Sequence, residues 1–335
     1  MPIPFESDRQ TARFHSPLED FEEVAVDVEV REDPLTGRQS RIVPENFPTP
    51  EEEPDIEAVV GDSDGCFFCP GTVDETTPTY PESVGVDRGH VGEATSFPNL
   101  NPYGAHSNVV ALTEDHYVPI GEFTPTIFED GLRAAVEYVQ SVFEADGDAR
   151  YASVNMNFLR PAGSSIVHPH VQTLVDDRGT NEQRLLAECA RDYYGDNDAA
   201  YWHDLVAEER GGDRDVGSTG SVDWLTPFAP KHHRHVLGVA DEAETPGPGS
   251  DVLAAVAEGL VNVLDAYAAA GLNSFNVAMH LVDDDPAVPP VVNVVARSVF
   301  EEYYWSDSPF FVVLHDEGVV DVAPEEYAAE VREQF

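Results

Sequence analysis

Two imidazoles and a primary amide alternate along His168-Pro169-His170-Val171-Gln172. On an extended strand every second side chain shares a face, so this run reads as a strand presenting His168, His170 and Gln172 together. Buried, each of the three needs a hydrogen-bond partner or a metal ion; facing solvent, they are an incidental polar edge. Just upstream, Asn155-Met156-Asn157-Phe158-Leu159-Arg160-Pro161-Ala162-Gly163-Ser164-Ser165 holds amides, a glycine and hydroxyls. Such a turn offers N–H and O–H donors to a phosphate. The other reading is an ordinary proline–glycine turn. Donors beside a nucleophilic imidazole fit phosphoryl or nucleotidyl transfer.

Cys66-Phe67-Phe68-Cys69 is half of a zinc site, and it needs two further ligands. The sequence has no second cysteine pair, so His116 and His168 are the candidates. A redox dithiol is the rival reading, but no thioredoxin-like strand precedes the pair. Phe67 and Phe68 offer either an apolar wall to a nucleotide base or a piece of core.

These residues need elements to hold them. Ser107–Leu112 reads as a strand, Thr126–Ala145 as a helix with Ile127, Leu132, Val136, Val139 and Phe143 at helical spacing, and Tyr151–Leu159 and Ser165–Val175 as strands. The second half repeats the order: strand His235–Ala240, helix Asp251–Ala270, strand Ser274–Met279, loop Asp283–Pro290 and strand Val291–Val299. Duplicated α+β units with mainly antiparallel sheets and flanking helices follow. The boundary falls between residues 1–205 and 206–335. Acidic stretches at Pro48–Gly65, Glu208–Ser221 and Asp241–Ser250 read as solvated loops.

The chain has 335 residues and 41% hydrophobic content, enough for packed cores. Its 18 Lys+Arg against 64 Asp+Glu give a net charge of −46, and Lys231 is the one lysine. A field of that sign repels phosphate backbones and anionic lipid, which argues against nucleic acid and membrane as partners. Self-repulsion of this size is screened at molar salt, as expected for a cytoplasmic protein of a salt-loving organism. The start, MPIPFESDRQ, has no basic or apolar signal-peptide pattern, and no run approaches 18 apolar residues. Three cysteines make no disulfide scaffold, in keeping with a reducing cytoplasm.

Taken in order, the motifs resemble the galactose-1-phosphate uridylyltransferase family of the histidine-triad superfamily. The resemblance runs over most of the chain: Arg31-Glu32-Asp33-Pro34-Leu35-Thr36-Gly37, the Cys66/Cys69 pair, Phe97-Pro98-Asn99-Leu100-Asn101-Pro102, Thr113-Glu114-Asp115-His116, the Asn157/Gly163/Ser165 spacing and the histidine strand itself. It implies that His170 is the nucleophile in covalent, ping-pong transfer of a nucleoside monophosphate, UMP by family default. Gln172 would donate to the transferring phosphate. Phe67, Phe68, Asn99, Asn157, Gly163 and Ser165 would bind substrate. Cys66, Cys69, His116 and His168 would hold one structural zinc. A nucleotide sugar and a hexose 1-phosphate would be the substrates, and the protein would be a homodimer.

Departures stand beside the matches. No arginine occurs in Ile42-Val43-Pro44-Glu45-Asn46, where the family is basic. Of the ligands to a second metal found in many members, only a histidine, His280, has a counterpart; Leu186 and Val295-Ala296-Arg297 stand at the other places, so no second metal is expected. The sugar-contacting segment is poorly matched around Phe310–His315. A nucleotide-sugar phosphorylase or hydrolase on the same scaffold is the alternative; a silent nucleotide-binding protein is disfavoured by the intact His170 and Gln172. Elsewhere, Lys231-His232-His233-Arg234-His235 reads as a solvated loop, with a basic turn that holds a sugar phosphate as the other reading, Asp283-Asp284-Asp285 as background acidity, Cys189 as a packed helical residue, and Trp202, Trp224 and Trp305 as core or interface anchors.

Overall fold

The computed structural model describes residues 3–43, 56, 60–61, 64–81 and 87–335. Pro44–Asn46 and most of the acidic stretch Pro48–Gly65 lie outside these residues. The chain opens with a hairpin, β1 (Glu6–Ser16) and β2 (Glu22–Glu32), followed by β3 (Gln39–Ile42). A one-turn helix, α1 (Val73–Thr76), follows the cysteine pair. Then come β4 (Gly89–Val91), β5 (Ala94–Pro98), β6 (His106–Ala111), α2 (Pro125–Ala145), β7 (Tyr151–Phe158) and β8 (His170–Asp176). Helices α3 (Asn181–Asn197) and α4 (Tyr201–Glu209) lead to β9 (Asp215–Thr219), β10 (Val222–Leu225) and β11 (Val236–Ala240). Helix α5 (Asp251–Ala269), β12 (Phe275–Val282), β13 (Val291–Ala296), α6 (Phe310–His315), β14 (Gly318–Val320) and α7 (Pro324–Arg332) complete the chain.

Ten strands form one antiparallel sheet in the order β4-β5-β6-β8-β7-β12-β13-β11-β10-β9. Read inward from either edge, the order is the same: three strands in sequence, then the fifth and fourth of the unit. The duplication expected from the sequence is therefore built as two half-sheets joined along β7 and β12, where Tyr151 pairs with Val282 and Phe158 with Phe275. A smaller sheet, β1-β2-β3-β14, closes with β14 parallel to β3.

Strand periodicity divides the large sheet into two faces. Val154, Met156, Val171, Val175, Val277, Met279, Val292 and Val294 point to one side and pack against α2 and α5. Each helix begins on a hydroxyl cap: Thr124 accepts from the Ile127 N–H, with Pro125 behind it, and Ser250 accepts from the Val252 N–H. Helix α5 is long and apolar enough to cross a membrane, but Leu253, Val256, Leu260, Val263 and Leu264 bury it against the sheet as a core helix. Its Gly259 and the β11 residue Gly238 clasp the fully buried Trp224: a Cβ on Gly259 would meet the indole at 2.2 Å.

The opposite face of the sheet carries the polar side chains. One cross-strand row reads Gln172 (β8), Asn155 (β7), Ala278 (β12), Asn293 (β13). Further along this face, α3 and α4 cover Leu237, Val239 and Val291 with Ala187, Ala190, Tyr201, Trp202 and Leu205. Two readings are corrected. The histidine strand starts at His170, not Ser165; residues 164–169 are loop, so His168 lies just before the strand. Proline at 169 has no N–H for a ladder, yet its carbonyl still accepts from the Leu112 N–H at 3.0 Å. The stretch Glu208–Ser221 is not all loop: it contains β9, which pairs with β10 just beyond it.

Candidate active site and metal centre

The turn that carries the cysteine pair is knitted by Thr72. Its hydroxyl donates to the carbonyls of Cys66 and Cys69 at 2.7 and 2.8 Å, and the Val73 N–H returns to Cys69 at 3.0 Å. This holds both thiols facing the loop after β6, where His116 sits, and the loop before β8, where His168 sits. The four ligand atoms of Cys66, Cys69, His116 and His168 lie within 4.8 Å of one another. Cys69 Sγ is 3.5 Å from His116 Nδ1 and 3.6 Å from His168 Nδ1, and Cys66 Sγ is 3.8 Å from His168 Nδ1. A zinc tetrahedron with S at about 2.3 Å and N at about 2.0 Å has S···N edges of roughly 3.5 Å. The donor set and its spacing thus fit a metal ion such as zinc, with no side chain needing to move far.

The tautomers agree. His168 is fully buried and its Nε2–H donates to the Thr113 carbonyl at 2.8 Å, leaving a lone pair on Nδ1 toward the thiols. Burial pushes His168 down to about 4, so the ring is neutral. Burial and the neighbouring Cys66 thiol push Cys69 up to about 12. Without a cation the Cys69 thiol resists forming the thiolate a metal would stabilise.

His170 is the next residue but one after the metal-set residue His168 and is tied to its backbone. Its Nδ1–H donates to the His168 carbonyl at 2.8 Å, so the lone pair is on Nε2. Burial lowers its pKa from the ordinary histidine value, which keeps it neutral at pH 7. Phe68 stands edge-on to His170 at 5.4 Å and to His168 at 6.1 Å, and tilts against buried Phe97 at 5.3 Å. Phe67 is 56% exposed, so the two phenylalanines differ: Phe68 lines the histidines and Phe67 is at the surface.

Gln172 is half-buried on the same face as His170. Asn157 lies one residue past Met156, which pairs with Val171, and so stands in line with His170 on the neighbouring strand. β7 gives way to Leu159, buried and held at φ 65, a left-handed conformation costly for a branched side chain. Its carbonyl accepts from the N–H groups of Ala162 and Ser164, which curls residues 160–164 into a tight turn. Gly163, at φ 91, needs its glycine for that backbone angle, since a Cβ there would meet open space. Ser165 is exposed beyond it. Asn99, on the far side beyond β5, caps its own turn: Oδ1 accepts from the Asn101 N–H at 2.9 Å.

Two residues on this face escaped the sequence reading as site candidates. Asn276 on β12 donates to Asn157, and Arg297, named only as a replaced ligand, donates to Asn276. The available signal was the alternation of β12, which puts Asn276, Ala278 and His280 on the polar face.

The Lys231–His235 segment is a further correction. His232, His233 and His235 are 9%, 5% and 2% exposed, not solvated. Each finds a partner: His232 Nδ1 the Ala296 carbonyl, His233 Nδ1 the Asp321 carboxylate, His235 Nε2 the Asn293 side-chain oxygen. Lys231, Glu182, Leu186, His235, His280 and Asn293 line a cavity of about 340 Å³. Its nearest lining strand, β12 with Ala278 and His280, is two strands from Gln172, roughly 10 Å at the usual strand spacing. Arg38 and Lys231 both pair with Glu182 there, and Arg31 and Arg41 pair with Glu325 and Glu317. Asp285 of the acidic run pairs with Arg191 at 2.6 Å.

No protein-family model matches the sequence. By structure, the chain is similar to an ADP-glucose phosphorylase from Arabidopsis thaliana with bound ADP-glucose: TM-score 0.70, 17% identity, 91% of this chain and 98% of that one. It is similar to a uridylyltransferase at TM-score 0.66 and 20% identity, over 91% of this chain and 97% of that one. By sequence it is 37% identical over 308 residues to an uncharacterized protein of Archaeoglobus fulgidus, covering 91% of this chain and 92% of the relative. The chain therefore shares its fold with this phosphorylase and this uridylyltransferase, and it belongs to the family of the Archaeoglobus protein.

Proposed function

We propose that the protein is a nucleotidyltransferase that moves a nucleoside monophosphate, UMP in the first instance, from a nucleotide sugar to a hexose 1-phosphate through a covalent intermediate on His170. The observation that carries this reading is the state of that ring: neutral, with Nδ1–H tied to the His168 carbonyl and the lone pair on Nε2. Nε2 attacks the α-phosphorus, a P–N bond forms, the bond to the bridging oxygen breaks, and hexose 1-phosphate leaves with the electron pair. The ring gains positive charge as it does so, and the Nδ1–H bond to a carbonyl strengthens with that charge. The acceptor's phosphate oxygen reverses the step and returns the ring to neutrality.

Gln172 donates to a non-bridging oxygen of the transferring phosphate, and the Asn157, Gly163 and Ser165 region supplies further donors. Phe68, with Asn99 and Phe67 nearer the rim, receives the base. Zinc, held by Cys66, Cys69, His116 and His168, fixes the strand entry that presents His170; we expect one such ion per chain. Inorganic phosphate as acceptor is the second reading, and the likeness to an ADP-glucose phosphorylase favours keeping it.

The test is to incubate the protein at high salt with nucleotide sugars labelled at the α-phosphate and to look for acid-labile label on the chain. Label is expected from the protein as it stands and none from His170→Gly. Chasing the labelled protein with hexose 1-phosphate or with phosphate then separates the two acceptors. Label retained in His170→Gly would place the nucleophile elsewhere.

A further inference from the structure

An amide side chain shows a donor on one side and an acceptor on the other, and which way it faces is decided by its neighbours. On the polar face of the sheet three side chains stand in line from the second half-sheet toward the candidate phosphate turn: Arg297, Asn276 and Asn157. The guanidinium is the fixed point, because it can only donate. It is itself clamped by buried Asp307, whose two oxygens receive Nε at 2.9 Å and the Nη2 group at 2.6 Å. Asp307 is held in turn by the Ser298 N–H at 2.7 Å.

From this clamp Arg297 Nη1 donates to Asn276 Oδ1 at 2.7 Å. That contact determines the Asn276 amide, so its Nδ2 faces the other way. There it donates to Asn157 Oδ1 at 2.7 Å and to the Ala162 carbonyl at 2.9 Å. With Oδ1 engaged, the Asn157 Nδ2 group is turned outward. Asn157 is exposed, and it is in line with His170. The same Asn276 amide also grips the turn at Ala162, one residue before Gly163.

We infer that Arg297 and Asn276 are positioning residues: they set the polarity of Asn157 so that it presents N–H donors, and not its carbonyl, to an anionic phosphate bound at His170. This deepens the proposed function and rests on it for the identity of the anion. The half-sheet without the nucleophile thereby contributes to the site through a two-step amide relay. An arginine able to reach the phosphate directly would do different work; Arg297 acts only through the two amides.

Asn276→Asp tests the relay. A carboxylate at 276 still accepts from Arg297 but cannot donate. It would draw the Asn157 Nδ2 group inward and leave its oxygen facing the phosphate. UMP and AMP binding, and α-phosphate labelling, should each fall roughly tenfold to hundredfold. In an Asn157→Ala background the same change at 276 should cost less than about twofold, because the group it acts through is gone. An unaltered affinity in Asn276→Asp, or an equal loss in both backgrounds, would overturn the relay.

A ligand-free readout separates this from the functional reading. With asparagine side chains ¹⁵N-labelled, hydrogen exchange of the unsubstituted protein should be slow at the Asn276 NH₂ and fast at the Asn157 NH₂. In Asn276→Asp the Asn157 NH₂ should become protected. Slow exchange at Asn157 in the unsubstituted protein would show the opposite polarity and end the proposal, even if nucleotide binds. Correct exchange with no nucleotide binding would leave the relay standing and remove the nucleotidyl reading.

Discussion

The peptide carbonyl of His168 is where structure and chemistry meet. The side chain of His168 belongs to the four-ligand cluster, while its backbone oxygen fixes the tautomer of His170. Losing the metal should therefore do more than loosen a surface turn. Chelation, or Cys66→Ser, is expected to release one zinc per chain, lower the unfolding midpoint and abolish labelling by nucleotide sugar, since structural zinc sites contribute folding free energy outright. Metal analysis alongside thermal unfolding checks this. Midpoint and labelling left intact after complete metal removal would disconnect the cluster from His170. At this scale the sequence was most informative: Cys66, Cys69, His116 and His168 could be paired from donor chemistry and motif order because metal ligands admit few residue types. Asn276 was invisible, because an amide becomes meaningful only when its partners across two strands are known.

At the scale of elements, the helix–strand order was legible because α2 and α5 and the strands they cover keep clean periodicities. The β1–β2 hairpin was not. Its side chains are mostly exposed on both faces, so no alternation marks it. The Lys231–His235 segment misled for a related reason: charged and polar residues look solvated until the carbonyls and carboxylates that satisfy them are seen. The start of β8 was misplaced because the loop before it is apolar enough to pass for strand. Packing specificity can be tested at α5. Gly259→Ala would drive a methyl into the buried Trp224 ring, so we expect a loss of about 1–3 kcal/mol or more in urea unfolding. A neutral result would mean the indole has room to shift.

For the whole molecule, the charge makes a prediction about stability. With −46 net charge, the unfolding midpoint should rise on the order of 10 °C between about 0.1 M and molar KCl, as screening shortens to about 3 Å. A midpoint independent of salt, in metal-replete protein, would refute adaptation to high salt. Acid acts with a definite sign. Burial holds His232 and His280 down to about 4 and His235 down to about 3. Below about 6.5 the unfolded chain's histidines take up protons that these three refuse, so stability falls as pH drops from about 6.5 toward 4. One pH unit below the ordinary histidine value, each contributes a loss of about 1.4 kcal/mol. Unfolding at molar salt, where carboxylate repulsion is screened, should show the decline; a flat profile from pH 7 to 5 would mean the rings protonate in place.

The mirrored strand order has a last consequence. Two half-sheets of one design meet at β7 and β12, yet His170, the proposed nucleophile, opens β8 in only one of them. Isotope carried onto the polypeptide should thus plateau at one nucleotide for every chain, half of what the architecture's twofold bookkeeping would allow.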